Sequence, residues 1–155
     1  MTFVQTLARN TLEGGLHMLR FTGVSQEKLR KTEGALVPIV PMSAEHLPQI
    51  LQHLKDLSEH DRYLRFGYTA TDDHINRYVQ GLNFERDEIY GIFNTDLEII
   101  AMAHLALMKK EGRESSSEFG VSVSAHARGR GYGARLFDRA VIHARNEKVY
   151  QMYIH

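Results

Sequence analysis

Cysteine and tryptophan are absent from this chain of 155 residues, and it has only 3 prolines. Without thiols there can be no disulfide, no thiolate metal site and no cysteine nucleophile. Charge of one sign is not in excess either, since 19 basic residues cancel 19 acidic ones. That balance argues against a protein that grips nucleic acid or membranes through bulk electrostatics. Long hydrophobic runs are also missing. The most apolar stretch, residues 97–108, is broken by Glu98 and His104 and is shorter than the about 20 residues that span a bilayer. The opening from Met1 to Gln5 lacks the basic region and apolar core of a secretory signal. The expectation is a cytoplasmic chain with no membrane partner.

Hydrophobic residues make up 43% and charged residues 25%, enough for one domain with a packed core. Residues 1–35 read as an N-terminal extension in which Leu7, Leu12, Leu16, Leu19 and Phe21 hint at helix across Gly14 and Gly15. From residue 36 the pattern is regular. Residues 36–42 suggest an edge strand, because Pro38 and Pro41 cannot donate to a ladder. Ser43 then offers a cap to a helix with Leu47, Ile50, Leu51, Leu54 and Leu57 on one face. Arg62 to Phe66 reads as a loop or single turn. A second helix starts at Thr71 and Asp72, with Ile75, Tyr78, Val79 and Leu82 inward. Residues 88–93 and 97–108 form a hairpin around Asn94, Thr95 and Asp96. In residues 118–124, Phe119, Val121 and Val123 alternate with Glu118, Ser122 and Ser124. A helix over 132–146 buries Leu136, Phe137, Ala140, Val141 and Ala144, and residues 149–155 make a last strand. The order β-α-α-β-β-β-α-β predicts an α/β fold with a mixed sheet, its final strand–helix–strand a right-handed parallel crossover.

The richest stretch is Arg128-Gly129-Arg130-Gly131-Tyr132-Gly133-Ala134. Glycines at alternate positions allow positive φ and close backbone approach. They precede a helix whose first amides lack internal partners and whose dipole favours anions. With Arg128 and Arg130 this makes a site for a phosphate or pyrophosphate. A P-loop fails for want of the lysine and hydroxyl. A dinucleotide fingerprint fits Gly129, Gly131 and Ala134, but the 21 residues that follow Ala134 are too few for the rest of that fold.

Arg128-x-x-Gly131-x-Gly133, set between an alternating strand and an amphipathic helix, resembles the acyl-CoA loop of the GNAT family of N-acetyltransferases. The resemblance covers residues 36–155 through the order of elements. Leu57-Ser58 with Arg62-Tyr63-Leu64-Arg65-Phe66 is also similar to a stretch in a branch related to protein-lysine acetyltransferases. The resemblance implies that the amides of Gly129, Arg130, Gly131, Tyr132, Gly133 and Ala134 hold the CoA pyrophosphate, with charge from Arg128 and Arg130. It implies that Val121, Ser122 and Val123 pair with pantetheine, the amide of Val121 or Ser122 polarising the thioester carbonyl. Acetyl-CoA would be the acetyl donor, and a primary amine, on a protein lysine or a small molecule, would attack it directly. Glu118 is the best match for the carboxylate that takes the amine's proton. His104 is either an alternative base or a hydrogen-bonded core histidine, and His126 is expected in solvent.

The family continues past the fifth strand with a helix carrying an asparagine and a tyrosine that bind CoA and protonate the thiolate. These have no counterpart here, so the resemblance implies a truncated form or a site completed by a partner chain. An open edge with Val149, Tyr150, Met152, Tyr153 and Ile154 predicts a homodimer through strand pairing or exchange, with residues 1–35 as a further candidate cover. His46, His53 and His60 stand too far apart for one metal, and Asp72 and Asp73 read as helix caps, so no metal is expected. Arg128, Arg130, Arg135, Arg139, Arg145 and Lys148 could grip nucleic acid, but suit CoA equally, and no nucleic-acid partner is expected. The acceptor is expected to meet a lip of His60, Asp61, Arg62 and Arg65. The alternative to an enzyme is an acyl-CoA-binding or regulatory domain without turnover.

Overall fold

The computed structural model describes residues 5–12, 16–22, 37–109, 111 and 114–155, the first two stretches as backbone path. The elements are β1 (Gln5–Leu12), β2 (Leu16–Thr22), β3 (Val40–Pro41), α1 (Leu47–Lys55), α2 (Glu59–Phe66), α3 (Asp72–Gln80), β4 (Glu88–Phe93), β5 (Ile99–Met108), β6 (Ser116–Val123), α4 (Tyr132–Asn146) and β7 (Gln151–Ile154). They build a sheet in the order β1-β2-β7-β6-β5-β4-β3. Every neighbouring pair is antiparallel except β6 and β7, which run parallel across the α4 crossover. The α/β fold with a mixed sheet is as expected.

The two sheet faces have separate cores. On one, Leu136, Ala140 and Ala144 of α4 pack on Tyr90, Leu105 and Phe119. On the other, Ile50 and Leu54 of α1 and Ile75 and Val79 of α3 pack on Ile89 and Met102. Both faces are covered, which is why β5 is apolar almost throughout.

Four expectations are corrected. The helix hinted at by Leu7 to Phe21 is a hairpin, β1 with β2. Pairing overrides the helical hint, because β2 finds a partner strand in β7. That pairing, His17 to Arg20 against Ile154 to Gln151, occupies the edge from which a homodimer was expected, the cover coming from within residues 1–35 as the other expectation had it. The strand expected over 36–42 shortens to Val40–Pro41, still at the sheet's edge. The loop expected at Arg62–Phe66 is most of α2. Its cap is Ser58, whose hydroxyl accepts the Asp61 amide at 3.1 Å, and it stops at Gly67 with φ +81°. Apolar periodicity misses this helix because Tyr63 and Leu64 face solvent while Arg65 is buried. The expected boundary at residues 35 and 36 lies outside the described residues.

Arg62 joins the three helices. Its guanidinium donates to the carbonyls of Lys55 (2.7 Å), Leu57 (3.2 Å) and Ala70 (2.9 Å) and to Asp72 (2.9 Å). Replacing it with alanine strands three carbonyls, and Arg62→Ala should cost about 2–4 kcal/mol, read as a lower denaturant midpoint at unchanged slope.

Candidate active site

Between β6 and α4 the chain makes a single 3-10 turn at Ala125–Ala127 and then the glycine loop. Gly129 and Gly131 take φ of +77° and +79°, where a side chain would be strained. Gly133 does not need that freedom, and a Cβ there would find only the Val123 methyl at 3.8 Å. Gly131 is the N-cap of α4, with no side-chain cap and no acid in the first turn. The first helical bond runs from the Arg135 amide to the Gly131 carbonyl at 3.1 Å. Among the described residues, no amide from Gly129 to Ala134 donates to a backbone carbonyl. The loop therefore offers a set of unpaired N–H groups at the positive end of a 15-residue helix. Arg130 is exposed, whereas Arg128 reaches across to Asp61 on α2 in an ion pair. Of the other basic residues, Arg135 donates to the Val37 carbonyl at 2.6 Å and Arg139 lies over the Tyr90 ring, so the row does not present one basic surface.

Strand β6 leads into this loop. Its parallel register with β7 runs from Ser116–Gln151 to Phe119–Ile154, and the Phe119 carbonyl accepts the His155 amide at 3.0 Å. Successive strand residues aim their amides to opposite sides. Val121 and Val123 thus turn theirs to the β7 side, beyond the register, while the Ser122 amide is turned toward β5.

The Ser122 side chain points toward α1. There, His53 is buried and hydrogen-bonded at both nitrogens. Nδ1 donates to the Ile99 carbonyl at 3.0 Å, which leaves Nε2 to accept the Ser122 hydroxyl at 2.8 Å. Burial lowers the His53 pKa to about 4, so the ring is neutral. Nothing in local spacing marks this pair, since its members lie 69 positions apart.

A second polar chain crosses the same face of the sheet. Asp87, buried before β4, accepts from Arg86 at 2.7 Å and from His104 Nε2 at 2.8 Å. Burial would raise its pKa, but these hydrogen bonds outweigh that and hold it low. His104, lowered by burial, accepts the Tyr78 hydroxyl at Nδ1 (2.5 Å), and Tyr78 accepts from Arg65 Nη2 at 2.7 Å. His104 is thus the hydrogen-bonded core histidine of the two readings, and His126 is exposed. Glu118, on β6, hydrogen-bonds His155, which lowers its pKa. It lies about 10 Å along the strand from Val121.

Two clefts meet at Asp61. One, of about 530 Å³, is lined by α1, the β4–β5 turn and Ser124 to His126. The other, of about 340 Å³, lies between His60, Asp61, Leu64 and Arg65 of α2 and Val121 to Val123 of β6. The expected acceptor lip is corrected by this geometry. His60, Asp61 and the largely buried Arg65 line the smaller cleft, but Arg62 does not and is the helix clamp instead.

The model of the acetyltransferase (GNAT) family matches residues 49–155, and the chain belongs to that family of acyltransferases. No curated protein matches it. Solved structures agree on the fold. The GNAT domain of S. lividans PAT aligns with a TM-score of 0.58 at 14% identity, over 92% of this chain and 73% of that one. Glucosamine-6-phosphate N-acetyltransferase from Arabidopsis thaliana gives 0.56 at 15% identity, over 78% and 82%. Ribosomal-protein-alanine N-acetyltransferase from Brucella melitensis gives 0.54 at 23% identity, over 73% and 70%. No helix among the described residues is long and apolar enough to cross a membrane.

Proposed function

We propose that the chain is an acetyl-CoA-dependent N-acetyltransferase whose acceptor is a primary amine. The observation that carries this reading is the run of unpaired amides from Gly129 to Ala134, beside the main-chain groups that Val121 and Val123 present past the β7 register. The loop takes the pyrophosphate of CoA, with Arg130 free to add charge. Pantetheine lies along Val121 and Val123 as an added strand. The Val121 amide, and not that of Ser122, polarises the thioester carbonyl, because Ser122 is turned into the β5 ladder.

Nitrogen attacks the carbonyl carbon, the C–S bond breaks, and CoA leaves as the thiolate. The amine must shed a proton for this to happen. Glu118 receives it; ionised at neutral pH, it acts through water across the gap along β6. The pair of His53 and Ser122 fixes α1 against β6 and so holds the strand that carries the donor amide.

Thiol release from acetyl-CoA, measured with a panel of primary amines, tests the reading. Turnover with at least one amine is expected, and Glu118→Gln should lower kcat by about 100-fold while leaving acetyl-CoA affinity unchanged. Acetyl-CoA bound but spared by every amine would identify a binding domain instead.

A further inference from the structure

Arg65 is a buried cation with no ion-pair partner among the described residues. Its guanidinium lies flat on Gly120, so closely that a Cβ there would stand 2.2 Å from Cζ and 2.3 Å from Nη1. The rings of Phe66 and Tyr78 hold it from the side, with Cζ 4.8 Å and 5.3 Å from their centroids. Of its five N–H donors, one is engaged among the described residues, Nη2 to the Tyr78 hydroxyl, and that partner is neutral. Among the described residues no carboxylate forms an ion pair with it. Glu118 acts on Arg65 through space, yet its carboxylate is bonded to His155. Asp61 is committed to Arg128.

A guanidinium on a largely buried side chain, with open donors at a cleft, calls for an acceptor group. Arg65 also lines the 340 Å³ cleft, along with Ser122 and the Val121 and Val123 edge where the thioester is placed. The chain Arg86–Asp87–His104–Tyr78 fixes the guanidinium's orientation from behind.

We propose that Arg65 anchors a carboxylate of the acceptor, so that the acceptor is a small amine that is also a carboxylic acid. The inference rests on the acyltransfer reading for the position of the amine. A carboxylate, and not a phosphate, fits the cleft. Among the residues that line the cleft, Asp61 and Arg128 neutralise each other and Arg65 is the remaining charge, and the planar fork of arginine matches two coplanar oxygens. CoA supplies no such group at this end, since its anionic head lies at the α4 loop.

The test uses products as probes, so that binding is read without turnover. Nα-acetyl amino acids, Nε-acetyl-lysine and 4-acetamidobutyrate are titrated against the full chain beside their carboxamides, and the Arg65 Nε–H resonance is followed by NMR. At least one acid should shift that resonance saturably and bind 30-fold or more tightly than its amide. Arg65→Lys should narrow that ratio, and Gly120→Ala, which displaces the guanidinium while keeping its charge, should narrow it likewise. Acids and amides that bind equally, or an Arg65 signal that stays still throughout, would overturn the proposal. If acids bind through Arg65 but no amine consumes acetyl-CoA, the acyltransfer reading falls and the carboxylate site stands.

Discussion

Gly131→Glu should reduce acetyl-CoA affinity by about 100-fold or more in calorimetric titration, without unfolding the chain. Two effects add. Gly131 has φ +79°, and a residue with a Cβ in that region costs about 1–2 kcal/mol, so the free loop relaxes and CoA must restore the strained conformation on binding. The new carboxylate would also stand at the N-cap of α4, where it would compete with phosphate for the same unpaired amides and repel it. At about 1.4 kcal/mol per factor of ten, strain and competition together reach the expected loss. Gly133→Ala is the matched control, because its Cβ would find room beside Val123. That variant should bind within a few fold of the parent. Equal losses at 131 and 133 would mean that the loop acts through bulk and not through its amides.

The second large effect is on stability against pH. His53 titrates near 4 in the folded chain and near 6.5 when unfolded. Between those values the unfolded state binds more protons, so the contribution is complete above pH 6.5 and is lost as the pH falls toward 4. From this group alone, about 3 kcal/mol should disappear over that window. His104, also lowered by burial, and Glu118, lowered by the His155 bond, push in the same direction. Comparison with His53→Gln isolates the His53 part. In urea unfolding at pH 7, 5.5 and 4.5, the gap between parent and variant should shrink steadily with acid. A gap independent of pH would show that His53 is not a neutral buried ring. The loss would also loosen α1 from β6, through the Ser122 bond, before the rest of the core.

How far the sequence could be read depended on what each element uses to define itself. Helices α1, α3 and α4 and strands β4 to β7 bury apolar residues at regular spacing, and their order was legible down to the parallel crossover. The glycine loop was legible because positive φ and an uncapped helix start leave marks in residue type. Helix α2 was not, since its inward residue is Arg65 and its aromatic and aliphatic side chains face out. Hairpin β1–β2 was misread because β2 is defined by its pairing with β7 and β1 by its pairing with β2, partners that local periodicity does not reveal.

The polar chemistry divides along the same line. Which residues could accept a proton or hold a phosphate was visible from their type, and so was the position of the loop between strand and helix. Which of them are spoken for was decided only by folding. Arg62 and Arg65 look alike in sequence, five positions from Leu57 and eight; in the fold one is saturated by carbonyls and the other retains open donors in a cleft. His53 and His104 become neutral because burial makes the charged ring costly and places an acceptor or donor at each nitrogen. Local spacing determines helices, strands and turns. Partners separated by tens of residues, such as Ser122 for His53 or Asp87 for His104, are brought together only when the two cores close over the sheet.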